Sequence, residues 1–300
     1  MLWLVVFAAV AALLAGALIP RGPATGKGAP NAEAPWPRIV AMSPAIAVIL
    51  DDLGLSEHIV GRHAFDIILD DSVPVVGDTG GIDYERLLRI NPTHILLEQS
   101  AQAIPDRLRS LAGDHGWSLH TVALLSLDDI PRATSEIAGL FESESTRRRL
   151  AGLLASFEAS LEPRPDVARR AGRVLPLYWT DPPGAAGPGS FHYEMLERLG
   201  FEMALPDGGP FITVDPEDVL RMDPDSILLL VPGADPSRVD ELLGPLARLD
   251  LRCVREGRVG VINDPLVNIP ATSITRVVRE IMSVTANWPV PAARTAAATN

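Results

Sequence analysis

Only one cysteine, Cys253, stands in the 300 residues, so no intrachain disulfide, CxxC redox site or thiolate zinc cluster can be built. Arg252 and Arg255 flank it and would favour a thiolate, but a lone thiol in an apolar stretch reads more simply as buried, and no role is assigned to it. Positive charge is also short, 26 Lys and Arg against 38 Asp and Glu for a net charge of −12, which argues against a general affinity for nucleic acid or anionic lipid. His58, His94, His115, His120 and His192 form no i, i+4 pair and no cluster with acids, so a bare metal site is not expected. Ser43 follows a strand-like run, yet Ala41 and Ala45 stand where a nucleophile elbow needs glycines. Asp51-Asp52 and Asp70-Asp71 are adjacent, so each pair diverges on any regular element. Gly187-Pro188-Gly189-Ser190 fits neither a dinucleotide nor a P-loop spacing and reads as a turn with Ser190 capping a helix. These absences leave no expected enzyme and no resident cofactor.

One long apolar run is present, Leu2 to Ile19, closed by Pro20 and Arg21. It is long for a signal-peptide core and just long enough for a membrane span, and no Lys or Arg precedes it. Residues 1–19 therefore read either as a signal peptide cleaved after Ala15-Gly16-Ala17 or as a retained anchor, the only segment expected to meet a membrane. No cysteine follows, which excludes a lipobox. Residues 20–37, rich in Pro, Gly and Ala, read as a flexible linker, and the Ala-rich residues 288–300 as a disordered tail. With 47% apolar residues, the chain between them can bury a sizeable core in one large domain or two ordinary ones.

Short apolar strands alternate with amphipathic helices along this part, the pattern of α/β layers. Ile39–Met42 leads into a helix from Pro44, and Ile95–Leu97 follows a helix from Asp83. Asp83-Tyr-Glu-Arg-Leu-Leu-Arg-Ile-Asn-Pro-Thr-His-Ile-Leu-Leu97 aligns without a gap on Asp215-Pro-Glu-Asp-Val-Leu-Arg-Met-Asp-Pro-Asp-Ser-Ile-Leu-Leu229. In each copy the Asp is placed to cap a short helix, the Glu lies at its positive end, and Asn-Pro or Asp-Pro stops it before a buried strand. A repeated helix–turn–strand unit predicts two similar α/β lobes, over 38–144 and 171–287. Between them, residues 145–162 have apolar residues at helical spacing and predict one long helix joining the lobes.

The opening Arg38-Ile-Val-Ala-Met-Ser-Pro-Ala45, with Leu53-Gly54-Leu55 and Ile59-Val60-Gly61-Arg62 after it, resembles that of the cobalamin, haem and siderophore binding proteins of ABC importers. Asn91-Pro-Thr-His-Ile-Leu-Leu97, Ala186-Gly-Pro-Gly-Ser-Phe191 and Gly257-Arg-Val-Gly-Val-Ile-Asn263 continue the match in order, from about Arg38 to Ala286. The resemblance implies two α/β lobes joined by a rigid helix, a ligand cleft between them, an extracytoplasmic place and an ABC permease as partner. The cargo it implies is a metal chelate: a siderophore, haem or corrinoid. The family's Thr-Glu or Ser-Glu pair in the first helix is Ala47-Val48 here.

By the same resemblance, Glu85 and Glu217 match the glutamates that dock on permease arginines; without it, each is a solvated acid favouring a helix dipole. Six residues earlier, Thr79 and Phe211 match ligand-facing positions that often carry an aromatic ring, kept by Phe211 and absent at Thr79. Trp179 after a strand at Val174–Leu177 is a further ligand-facing ring, with a core tryptophan as its alternative. The segment Arg62-His63-Ala64-Phe65-Asp66 offers a cation, an imidazole and a ring. His63 has three readings: a haem-iron ligand, a carboxylate partner, or an ordinary surface histidine. Gly80-Gly81 and Gly208-Gly209, just before the two repeated helices, read as turns. The rival reading of the whole chain is a membrane-anchored scaffold or sensor of binding-protein fold with a degenerate cleft.

Overall fold

The computed structural model describes residues 37–78, 80–99 and 103–291. They divide into two compact units: the described residues up to Ser156 together with Ile269–Thr272, and Phe157–Asn268 together with the described residues from Ser273. The expected segment 1–19 and all but the last residue of the expected linker 20–37 lie outside the described residues. Among those described, no helix is long and apolar enough to cross a membrane.

The first unit is built on strands β1 (Ile39–Ala41), β2 (Ile59–His63), β3 (Val75–Asp78), β4 (Gly81–Ile82), β5 (His94–Glu98) and β6 (Ser118–Val122). Their order is β4-β3-β2-β1-β5-β6, all parallel except β4. Helices α1 (Pro44–Asp52), α2 (Tyr84–Ile90) and α3 (Asp106–His115) make crossovers, and α4 (Asp129–Leu140) follows β6 and packs on α1. Helix α1 starts where it does because the Ser43 hydroxyl accepts the Ile46 N–H at 3.2 Å and Pro44 takes the first turn. Val40, Val76, Leu87, Ile95, Leu108 and Trp117 form one core on one side of this sheet.

Helix α5 (Glu144–Ser160) carries the chain onward, and the division between the units falls within it. The second unit begins with α6 (Pro165–Ala171) and has strands β7 (Arg173–Thr180), β8 (Pro183–Ala186), β9 (Glu202–Met203), β10 (Phe211–Thr213), β11 (Ser226–Leu230) and β12 (Val259–Ile262). Their order is β10-β8-β7-β11-β12, with β9 beside the start of β7. Helices α7 (Phe191–Arg198), α8 (Pro216–Met222), α9 (Val239–Leu243), α10 (Arg252–Arg255) and α11 (Ile274–Thr285) complete it. Every residue of β11 is buried, as a central parallel strand covered on both faces requires. Cys253 lies in this core, where burial pushes its thiol up to about 11.

The two copies of the repeat fold alike. Each helix ends on a left-handed residue, Asn91 (φ 46°) and Asp223 (φ 44°), the two non-glycine residues of positive φ among those described. A Pro follows each, and the chain enters the central strand β5 or β11. The caps differ: Asp83 accepts the Arg86 N–H at 2.9 Å, whereas Asp215 makes no side-chain cap bond, contrary to expectation. Pro216 at the first helical position explains the difference, since its fixed φ organises the first turn without that bond.

The tail expected at 288–300 begins too early. Trp288 is buried under the Arg258 guanidinium, 5.6 Å from its ring centroid, and Arg258 donates to the Pro289 carbonyl. Residues up to 291 are part of the fold, because a tryptophan outweighs the alanines that follow it.

Candidate functional site

Open parallel α/β sheets present ligand-facing groups beyond the carboxyl ends of their strands. In the first lobe, His63 is the last residue of β2. Its ring lies 5.2 Å from that of Phe65, edge to face, and its Nδ1 accepts the Phe65 N–H at 3.2 Å. Burial lowers the His63 pKa, with Asp78 and Asp66 partly opposing it. The neutral ring therefore carries its hydrogen on Nε2 and presents a donor there.

Arg62 does not offer a free cation, contrary to the reading of its segment. The residue is only 9% exposed; Nε donates to the Val73 carbonyl at 2.9 Å, and the guanidinium meets Asp71 at 3.0 Å and the Asp66 carbonyl at 3.4 Å. Buried Asp66 accepts the N–H groups of Ile68 and Leu69 at 3.1 and 2.8 Å. Together these two residues brace the loop between β2 and β3 from beneath, and its apolar members Phe65, Ile67 and Ile68 remain 37%, 57% and 36% exposed. A charge in the middle of such a segment is read from sequence as available; only the tertiary structure shows it consumed by carbonyls. Thr79 lies outside the described residues.

In the second lobe, β7 and β8 pair Leu177 with Ala185 and Trp179 with Gly184, so Tyr178 is an extra residue in a bulge. The bulge lets the neighbouring Tyr178 and Trp179 rings share one cluster, 5.9 Å apart, instead of pointing to opposite faces. Phe211, first residue of β10 and paired with Ala186, adds its ring 4.8 Å from Trp179 and 6.0 Å from Tyr178. Gly184 makes room: a Cβ there would stand 2.4 Å from the indole. Gly208 (φ +125°) makes the turn before β10 in a conformation that favours glycine. Trp179 and Phe211 are partly exposed while Tyr178 is buried.

Beneath the rings is a polar relay that sequence reasoning missed. The buried His192 lies with Nε2 2.8 Å from the Val267 carbonyl, which makes Nε2 the protonated nitrogen, and Nδ1 accepts the Tyr178 hydroxyl at 3.0 Å. Burial lowers His192 to about 4 and pushes the Tyr178 hydroxyl up. Ser190 caps α7 as expected, accepting the Tyr193 N–H at 3.2 Å, which fixes where His192 leaves the helix. No spacing rule links residues 178, 192 and 267, so no local signal could have found the relay.

Glu85 and Glu217 are exposed on the first turns of α2 and α8. No group of three or more His, Cys, Asp or Glu side chains fit to hold a metal ion occurs among the described residues. His94 and His120 do stack, 5.6 Å apart, but as a pair alone.

Comparison with solved structures gives similar folds over most of the chain. The periplasmic vitamin B12 binding protein BtuF of Vibrio cholerae is 17% identical, with a TM-score of 0.66 over 84% of this chain and 98% of its own. The periplasmic heme-binding protein RhuT from Roseiflexus sp. RS-1 is 24% identical, with a TM-score of 0.64 over 83% and 98%. The siderophore binding protein FhuD from Vibrio cholerae, solved with Fe3+-Desferal, is 17% identical, with a TM-score of 0.61 over 83% and 99%. Among curated proteins none matches the sequence. The family model described as periplasmic binding protein matches residues 39–265, three-quarters of the chain, and with the two-lobed α/β fold beneath that match the chain belongs to this family.

Proposed function

We propose that the protein captures a metal chelate outside the cytoplasm and delivers it to an ABC permease, with Trp179 and Phe211 as the principal ligand-facing rings. The observation that carries this is the partly exposed Trp179–Phe211 pair, two rings 4.8 Å apart over a glycine floor, with Tyr178 held beneath by His192. Paired, partly exposed rings of this kind suit a flat or ring-bearing ligand. The similar structures bind vitamin B12, heme and Fe3+-Desferal, which supplies the chelate class.

In the first lobe, Phe65 and the His63 Nε2–H are the contributions, an apolar edge and one hydrogen-bond donor. Arg62 and Asp66 hold the loop that carries them. With Arg62 occupied, this loop favours a chelate with apolar surface over a strongly anionic one. Glu85 and Glu217 serve as docking acids for the permease, and residues 1–19 export or anchor the chain.

The test is fluorescence quenching and thermal shift of the full chain against haem, cobalamin, cobinamide and a panel of ferric siderophores. One ligand should quench saturably and raise the melting temperature. Trp179→Phe should remove most of the quenching, and Phe211→Ala should weaken binding about tenfold or more, the loss of roughly 1.4 kcal/mol. A folded chain that binds none of these at micromolar concentration overturns the proposal.

A further inference from the structure

The two copies of the repeat stay in step for one residue past Leu97 and Leu229, and there they part. Strand β5 closes Ile-Leu-Leu-Glu98 and β11 closes Ile-Leu-Leu-Leu230, each at the end of five residues. Leu230 is 0% exposed, as a central strand requires. Glu98 sets a carboxyl at the equivalent place. By strand alternation it points away from the face where Ile95 and Leu97 pack in the core and toward α1, and the Ser43 hydroxyl that caps α1 donates to it. No cation is bonded to Glu98 among the described residues. Burial raises its pKa, with the Ser43 bond partly opposing. An acid desolvated without a cation costs stability where leucine does not, so the fold alone gives no account of Glu98.

Its place in the sheet does. The first sheet runs β4-β3-β2-β1-β5-β6, so the chain leaves β1 toward one edge and β5 toward the other, and the order reverses between these two strands. The Met42 N–H donates to the Leu96 carbonyl at 3.0 Å and carries their pairing up to this point. Open parallel sheets bind ligands outside the carboxyl ends of their strands at such a reversal. Glu98, the last residue of β5, is partly exposed there. Among the described residues no cation balances it at the neighbouring strand ends. Strand β2 ends on His63, whose Nε2–H is a neutral donor, and β3 ends on the exposed Asp78. Arg62 is consumed within its loop, and Arg107, on the first turn of α3, lies over the Tyr84 ring, 4.3 Å from its centroid. In the second lobe β7, β11 and β12 end on Thr180, Leu230 and Ile262, none of them charged.

We propose that Glu98 reads the cargo in the first lobe, giving its carboxyl O–H to a carbonyl oxygen of the ligand, and that the protein takes chelates with a neutral carbonyl periphery, amide or hydroxamate, in preference to chelates bearing carboxylates. The proposal rests on the chelate reading above and narrows it. A protonated carboxyl and a neutral imidazole give this lobe two donors without a charge. Such donors match neutral acceptors. A carboxylate on the ligand would face acids on β3 and β5 with no base to offset them, and that repulsion rejects it. The stability lost at Glu98 thus serves selectivity, as is common at binding positions.

The test compares the wild-type full chain with Glu98→Leu, which installs the residue of the other copy, and with Glu98→Gln, which keeps a neutral donor. Cobalamin, cobinamide and Fe3+-Desferal are titrated against haem and ferric citrate. One of the first three should bind the wild type about tenfold or more tighter than haem or ferric citrate does. Glu98→Leu should weaken that chelate by about tenfold or more and melt no lower than the wild type, while Glu98→Gln should stay within about threefold of it. Infrared spectra at neutral pH should show a protonated-carboxyl C=O band in the wild type that both variants lose. An ionised Glu98, or unchanged affinity in Glu98→Leu, overturns the proposal. So does a lower melting temperature in Glu98→Leu, which would make Glu98 a structural residue. Tighter binding of haem or ferric citrate overturns it while leaving chelate capture intact, and a folded chain that binds no chelate at all overturns both readings.

Discussion

In the first lobe the strand beside β1 is β2, which returns through α1 and lies parallel to it along its length. In the second lobe the equivalent place beside β7 is divided: β9 runs parallel to its start, and β8 folds back antiparallel along its end. The lobes share the helix–turn–strand unit down to the left-handed residue that ends each helix. They part at the neighbouring strand: of the partly exposed rings of the second lobe, Trp179 lies on that divergent hairpin and Phe211 on β10, which pairs with β8. A core unit that must bury both sheet faces tolerates little change, whereas a hairpin at the carboxyl end of the sheet can be added without disturbing it.

The largest contrast between the lobes should come from the arginines at their strand entrances. Arg258 is 0% exposed and donates through Nε to the Asp225 carbonyl at 2.7 Å, and through its terminal nitrogens to the carbonyls of Ala171 at 2.9 Å, Arg170 and Pro289. Arg258→Met strands these acceptors and should cost roughly 3–5 kcal/mol. Arg38, exposed before β1, donates to the carbonyls of Ile90 at 2.6 Å and Asn91 at 3.4 Å. Arg38→Met should cost at most about 1 kcal/mol in urea denaturation. Equal losses would mean that the second lobe is not knitted from within as its bonds indicate.

Acid should separate the lobes next. His192, lowered to about 4 by complete burial, stays neutral in the folded chain while the unfolded chain takes up a proton below the ordinary 6.5. Its contribution is whole above pH 6.5 and is lost as pH falls toward 4, by roughly 3 kcal/mol at the limit. His94, also lowered to about 4 by burial and by His120, acts in the same direction in the first lobe but is partly exposed. His192→Gln should flatten the pH dependence of stability more than His94→Gln does. Trp117 reports on the first lobe and Trp179 on the second, so tryptophan variants assign each transition. A steeper acid loss in the first lobe would reverse the comparison.

The smallest effect is the most direct test of the repeat. Asp83→Ala removes a cap bond and should cost about 1 kcal/mol, whereas Asp215→Ala loses only the favourable dipole term, about 0.3 kcal/mol. Thermal melts of the two variants suffice.

The repeat was legible because its signals are local: an acid before a helix, a proline after it, and an apolar run long enough for a strand. The same kind of local signal carried α1, the strand before Trp179 and the Ser190 cap. The ring pair was half legible. Trp179 and Phe211 were named separately, but the bulge at Tyr178 and the glycine opposite Trp179 that bring the rings together depend on strand register. Arg62 went the other way, since a guanidinium reads as a surface cation until the carbonyls around it are known.

By itself, then, the sequence determined the α/β class, the duplicated unit, the exclusion of an intrachain disulfide and of a thiolate zinc cluster, and family membership through an ordered set of short apolar motifs. Tertiary structure alone decided that Arg62 is consumed within its loop, that Trp288 closes the fold, that His192 carries Tyr178, and that Glu98 meets Ser43. The first group follows from periodicity and composition, which act between neighbours in the chain. The second follows from desolvation and hydrogen bonding between residues far apart in it, and those energies exist only once the chain has folded.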